Sequence, residues 1–205
     1  MEIELKYNIP DTETLNSIWN DELFKDAEED GSRIETYFNA VYYDTKDCDL
    51  AKNEIAYRVR SEGKRLVAAL KWKGHSEDGL HVREEINVPV DSDKPDPSVF
   101  KESKIGSQVM EFVGDSELVY LLESKVYRKS FRIDTGSGLF EFSIDEGEIV
   151  TKYGALPIRE VEIELFSGET KELMKIGKLI QDKYGLSEEN ESKYSRGVKM
   201  IKQNR

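Results

Sequence analysis

The sequence predicts an α+β protein that is mainly antiparallel β, an eight-stranded closed or nearly closed tunnel barrel with flanking helices. Three observations carry this expectation. Charged and apolar residues alternate in successive segments, and i, i+2 and i+4 share a face only in an extended chain. Those segments follow one another through short turns, in hairpin order. Helical periodicity is confined to the two ends of the chain and one middle stretch.

Residues 2–8 alternate strictly, with Glu2, Glu4 and Lys6 on one face and Ile3, Leu5 and Tyr7 on the other. Asp11 is placed to cap a helix over about 12–28, with Leu15, Ile18, Trp19 and Leu23 along one side. Residues 34–45 read as a strand rich in Tyr, Phe and Val. A hairpin follows over 54–61 and 64–73, turning at Glu62-Gly63. Another strand covers 80–90 and ends at Pro89 and the loop from Asp91 to Pro97. A helical insertion is expected at about 93–117, its helix from 97 and weakened by Gly106 and Gly114; its expected place is over one tunnel mouth. Residues 119–133 and 138–150 form a long hairpin around Gly136 and Gly138, and 156–166 is the last clear strand. The clearest amphipathic helix is 169–184 (Leu173, Ile176, Leu179, Ile180), with Gly185 placed to end it. A short helical pattern returns at Lys193–Ile201.

With 205 residues and no Pro/Gly/Ser-rich linker, the chain reads as one domain, 1–205. Ten Tyr, eight Phe and two Trp argue against disorder, because those rings must be buried. A net charge of −12 predicts repulsion from nucleic acid and anionic membranes, so neither is expected as a partner. Cys48, the one cysteine, excludes an internal disulfide framework and reads as a bystander in a polar stretch. His75 and His81 lack the paired spacing of zinc ligands. The start Met1-Glu2-Ile3-Glu4 has no leader-like cationic or apolar run, and the expected setting is cytoplasmic.

The charges are patterned. Arg58 is in phase with Arg60, Lys71 with Lys73, Arg83 with Glu85, Arg128 with Arg132, Glu141 with Asp145, and Glu160 with Glu162 and Glu164. On one strand this is an ordinary solvated face over an apolar core. Across seven strands, acids cluster on some and bases on others, which is what a site for a polyanion and a metal requires. Hard divalent ions take carboxylate oxygens, and strand-mounted Arg and Lys neutralise phosphates with directed bonds.

Glu2-Ile3-Glu4-Leu5-Lys6 resembles the N-terminal Glu-x-Glu-x-Lys signature of the CYTH proteins, the triphosphate tunnel metalloenzymes. It is followed in order by Tyr42-Tyr43-Asp44-Thr45, Arg58-Val59-Arg60, Leu70-Lys71-Trp72-Lys73, Arg83-Glu84-Glu85 and Arg128-Lys129-Ser130-Phe131-Arg132. Ile144-Asp145-Glu146-Gly147, Glu160 to Leu165 and Lys193-Tyr194-Ser195-Arg196 complete the series. The resemblance implies an eight-stranded tunnel in which inward acids bind divalent metal, Mg²⁺ or Mn²⁺, and inward bases bind a triphosphate. Carried over by position, it implies metal ligands at Glu2, Glu4, Glu162, Glu164 and Asp145. It implies substrate ligands at Lys6, Arg58, Arg60, Lys71, Lys73, Arg83, Arg128, Arg132, Lys193 and Arg196, with Lys129 an alternative on its strand. Glu160 supports the acidic pair from one step outside it. Glu4, Asp145 and Lys6 are the catalytic candidates, with Glu4, Asp145 or a second metal orienting and deprotonating the attacking water.

The function so implied is metal-dependent hydrolysis of a triphosphate, inorganic triphosphate first. Class IV adenylate cyclase and thiamine triphosphatase are the alternatives within the family, and a non-catalytic polyphosphate- or nucleotide-binding module lies outside it. The expected partner is a small-molecule triphosphate, whether inorganic, nucleoside or thiamine; a homodimer is compatible with the chain. Retention of both acidic pairs favours catalysis, since bases alone would bind a polyanion without activating water.

Overall fold

The computed structural model describes residues 1–204 and has the expected barrel. Among the described residues there are nine strands: β1 (Glu2–Asn8), β2 (Ile34–Asp44), β3 (Ala56–Glu62), β4 (Arg65–Glu77), β5 (Leu80–Val90), β6 (Val119–Asp134), β7 (Leu139–Thr151), β8 (Gly154–Ser167) and the two-residue β9 (Ser187–Glu188). They form one antiparallel sheet in the order β5-β4-β3-β2-β6-β7-β8-β1-β9, and β1 also pairs with β5 to close eight strands into a barrel. One edge of β1 is shared: Glu2–Leu5 face β5, whereas Tyr7 and Asn8 face β9. The two-residue β9 thus continues that edge where β5 ends. Five α-helices flank the sheet among the described residues, α1 (Thr12–Trp19), α2 (Asp49–Lys52), α3 (Lys104–Val113), α4 (Thr170–Tyr184) and α5 (Lys193–Gln203). None of them is long and apolar enough to cross a membrane.

The apolar and charged faces are arranged inside out relative to an ordinary small barrel. The apolar residues point outward and are roofed by helices. Leu5, Tyr7, Phe131, Ile133, Phe142 and Ile163 pack beneath Leu15 and Ile18 of α1 and Leu173, Ile176 and Ile180 of α4. The roof is close: a Cβ on Gly177 of α4 would lie 2.4 Å from Leu5 Cδ1. On the other side Tyr57, Val59 and Leu70 are covered by Phe100 from the 3₁₀ turn Pro97–Phe100 and by Ile105, Val109 and Val113 of α3. The 93–117 segment therefore packs on the outer face of β3 and β4, not over a tunnel mouth, because its apolar side chains match that uncovered face.

With the outward positions spent on cores, the charged positions must face the barrel axis. One end of the interior is apolar instead, and α5 packs there, with Val198 and Ile201 among Leu122, Ile149 and Ile158. Gly197 permits the approach, since a Cβ there would meet Leu122 Cδ2 at 2.7 Å.

Two element boundaries differ from the sequence reading. The first helix ends at Trp19 and not near 28: Asn20 bonds back to Asn16 through both backbone and side chain, and the Asp21 side chain accepts from Leu23 N. Such local bonds compete with helix propagation. The chain then turns so that Glu28 bridges Ile133 of β6. In β4 the register shifts between Trp72 and His75, where Lys73 takes a left-handed φ of 52°.

Candidate active site

The inward side chains line a cavity of about 520 Å³. Glu2, Glu4 and Lys6 come from β1, Arg58 and Arg60 from β3, Lys71 from β4, and Arg83 and Glu85 from β5. Arg128 (β6), Glu141 and Asp145 (β7), Glu162 and Glu164 (β8), Lys193 (α5) and the exposed Glu54 ahead of β3 complete the charged lining. Strand register makes acids neighbours: Glu4 lies opposite Glu164, Glu164 opposite Glu141, and Glu160 opposite Asp145. Directly facing like charges destabilise a sheet, so each pair needs a cation.

Among the described residues, each of these inward strand acids except Glu164 has one. Arg128 forks Asp145 through Nε (2.6 Å) and Nη2 (2.7 Å) and also donates to Glu162. The Lys6 ammonium donates to Glu162 and lies 3.2 Å from Glu4 Oε1. Lys193 Nζ is 2.8 Å from Asp145 Oδ2 and 2.8 Å from Glu162 Oε1, and it also donates to Glu160. Burial alone would push the Glu162 carboxyl up, but Lys193, Lys6 and Arg128 outweigh it and hold the group well below the usual carboxylate range. Asp145 is likewise held down against burial by Arg128 and Lys193. On the neighbouring strands Arg83 donates to both Glu2 and Glu4, and Lys71 Nζ lies 2.9 Å from both Glu2 oxygens and 2.8 Å from Glu85. Glu2 is therefore depressed, its burial overridden by Lys71 and Arg83.

Glu164 behaves in the opposite way. Burial, reinforced by Glu2 and Glu4, pushes its carboxyl up to about 7. At Glu164, which has no ion-pair partner among the described residues, the site thus carries an unneutralised carboxyl position. An excess of positive charge lies at β3 and β4. Burial and then Arg58 push the Arg60 guanidinium below its ordinary value, with Glu62 opposing. Burial, Arg58 and Arg83 do the same to Lys71. The buried Nε atoms of Arg58 and Arg60 have no acceptor among the protein atoms. Phe38 lies against the guanidinium groups of Arg60 and Arg128, 4.9 Å from Arg60 Cζ and 5.5 Å from Arg128 Cζ. A cavity with an unpaired carboxyl at one wall and surplus base at the other suits a divalent cation together with a polyanion.

Four residues nominated from sequence stand outside the lining, among them the alternative Lys129, whose ammonium lies over the Trp19 ring. Lys73 is exposed because the bulge takes it out of phase with Lys71. Arg132 keeps the phase of Arg128 but lies about 13 Å further along the strand, where it is exposed and its Nε pairs with Glu29 at 2.9 Å. Arg196 sits behind Lys193 on α5, with Nη2 2.7 Å from Glu160 Oε2 and Nη1 3.4 Å from Glu189 Oε2. Because exposed side chains contribute little, Lys73→Ala and Arg132→Ala should each leave kcat/KM for the triphosphate that the family resemblance implies within about threefold of wild type. Steady-state kinetics check this.

Sequence reasoning passed over Glu85 and Glu141, which the alternation had already placed in phase with Arg83 and Asp145. It also passed over Phe38, for which no charge pattern gave a signal. His81 is buried and structural: Nε2 lies 2.7 Å from Glu189 O and Nδ1 2.8 Å from Ser76 Oγ. Burial and then Lys6 keep its pKa down. Cys48, at a φ of 60° ahead of α2, is not part of the cavity lining.

A family model described as the CYTH domain matches residues 1–198. The inorganic triphosphatase of Haemophilus influenzae is 29% identical over 138 residues, which are 67% of this chain and 38% of that protein. The chain thus matches well under half the length of that relative. Among solved structures, a Hippeastrum protein described as an adenylyl cyclase with a dominant triphosphatase activity superposes with a TM-score of 0.72 at 20% identity, covering 97% of this chain and 96% of the other. The PH1819 protein of Pyrococcus horikoshii superposes with a TM-score of 0.62 at 18% identity, covering 100% of both chains. At these identities the likeness speaks for the fold alone.

Proposed function

The chain belongs to the CYTH domain family, and from that premise we propose that it is a divalent-metal-dependent phosphohydrolase that cleaves a triphosphate, inorganic triphosphate first, inside the barrel. The observation that carries the reading is the division of one cavity into a wall with an unpaired acid at Glu164 and a wall of surplus base at Arg60 and Lys71. The naming of the Haemophilus influenzae relative as an inorganic triphosphatase supports the same substrate class.

The carboxylate oxygens fit a hard cation. Glu2, Glu4 and Glu164, with Glu141 beside them, would hold Mg²⁺ or Mn²⁺, which when bound supplies charge neutralisation and acidifies water. Glu162 and Asp145 are saturated by bases and serve here to fix Lys6, Arg128 and Lys193 in place. Arg58, Arg60, Lys71 and Arg128 bind the phosphate oxygens and hold the chain for in-line attack. Water forms a P–O bond to the terminal phosphorus, the anhydride P–O bond breaks, and the products are phosphate and diphosphate. The proton lost by the water goes to the Glu4 carboxylate, which faces Glu164 across β1 and β8. The whole chain acts as one catalytic domain in this reading, in the reducing cytoplasm that its lone cysteine fits.

A substrate panel tests the proposal. Inorganic triphosphate, ATP and thiamine triphosphate are offered with Mg²⁺ and with Mn²⁺, and the products are resolved. Fastest turnover of inorganic triphosphate to phosphate and diphosphate is expected. Cyclic AMP as the main product, or binding of all three without turnover, would overturn it.

A further inference from the structure

Lys193 is the first residue of α5, and its side chain enters a cage of three buried carboxylates, Asp145, Glu160 and Glu162. Oxygens from the three lie within 4.8 Å of one another, close enough to share one cation. The ammonium takes that place, 2.8 Å from Asp145 and 2.8 Å from Glu162 and in contact with Glu160. Its three donors meet three anionic acceptors, so its hydrogen-bonding capacity is filled. The remaining cage oxygens are also taken. Arg128 holds Asp145 and Glu162 from one side, Lys6 reaches Glu162, and Arg196 holds the second oxygen of Glu160. Three carboxylates therefore face four cations, two of them from α5. Every cage oxygen thus has a cation against it, and the Lys193 ammonium fills the point between the three carboxylates where an ion would bridge them.

We infer that the Lys193 ammonium is the resident cation of the Asp145–Glu160–Glu162 cage, so that the chain binds one divalent ion and not two. The count of one rests on the proposed site at Glu2, Glu4 and Glu164; the cage itself does not. Lys193 then acts as a positioning residue. It stands where a second ion would otherwise sit and ties the first turn of α5 to β7 and β8, at the end of the barrel that α5 covers. Replacing it with a neutral side chain of similar length removes the ammonium and leaves the carboxylates, converting the cage into a divalent-cation site.

Mn²⁺ binding without any phosphate, measured by calorimetry and by the paramagnetic resonance of free Mn²⁺ at neutral pH, tests this in the full chain. Wild type should bind one Mn²⁺, Lys193→Met two, and Lys193→Arg one. Two ions in wild type, or no additional ion in Lys193→Met, would overturn the inference. No ion in wild type and one in Lys193→Met would sustain the cage while removing the metal site of the proposed function, so the two failures are distinguishable. If Lys193→Met does not fold alone, circular dichroism with Mn²⁺ gives the answer. Refolding by Mn²⁺ supports the cage, and a chain that stays unfolded at saturating Mn²⁺ overturns it.

Discussion

Exchanging Glu164 for Gln lowers triphosphate turnover by about a hundredfold or more, because even groups that only orient a metal's ligands are worth ten- to a hundredfold. Gln keeps the shape and removes the charge, so the fold survives. The same exchange should raise the stability of the metal-free protein. The Glu164 carboxyl stands at about 7 in the folded state against an ordinary value of 4.5. Between those values the folded chain binds more protons than the unfolded one, and stability falls as pH rises through that window. The gain in melting temperature of Glu164→Gln over wild type in chelator is therefore larger at pH 8 than at pH 5. Metal binding to wild type releases a proton and weakens below pH about 7, a dependence that flattens in the variant. Glu4→Gln should fail in the same way. Since Glu4 and Glu164 face each other across β1 and β8, the double variant loses much less than the product of the single losses. Fully multiplicative losses would mean that the two strands do not share one site.

The second large effect falls on the bases. Arg58→Ala and Arg60→Ala each remove a planar fork whose buried Nε has no protein acceptor. A charge-assisted contact to phosphate is worth about 1.5–3 kcal/mol, roughly ten- to a hundredfold in kcat/KM. Lysine at either position keeps charge but not the fork, and rescues only part of the loss. Lys64→Ala and Arg65→Ala, at the exposed turn between β3 and β4, are near neutral. Arg58→Ala also gives up its pair with Glu85, whereas Arg60→Ala, whose guanidinium is already opposed by burial and Arg58, loses little stability. Arg60→Ala thus separates a binding role from a structural one: melting temperature holds while KM rises and kcat/KM falls. Equal damage in the turn and strand variants would refute the inward placement of the alternating face.

The barrel was legible because alternation is a local property of a strand, and residues 2–8, 56–62 and 154–167 carry it plainly. What alternation does not say is which face points inward. An ordinary antiparallel sheet would bury Val59 and Leu70 against a core on the concave side. Here α3 and α4 supply apolar faces on the convex side, and only their packing decides that the charges turn in. The same limit explains Lys73 and Arg132. Periodicity fixes a residue's face but not its height along the strand, so Arg132 has the right phase at the wrong level. Lys73 was lost to a bulge at Lys73-Gly74 that no alternation rule marks. Lys193 and Arg196 are one helical turn apart on α5, yet one lines the cavity and the other backs Glu160. That difference is set by where β8 and α5 meet, a tertiary fact. Pairing choices among the acids were equally invisible: Glu162 and Glu164 sit two residues apart on one face, but three bases reach the first and none is paired with the second.

The central claim is that opposite walls of one cavity hold a metal and a triphosphate for hydrolysis. Phosphorus magnetic resonance of inorganic triphosphate incubated with the protein tests it most directly, first with Mg²⁺ or Mn²⁺ and then with excess chelator. The expected result is one phosphate and one diphosphate per turnover with either metal, no turnover in chelator, and recovery when metal is restored. Undiminished turnover in excess chelator would contradict it.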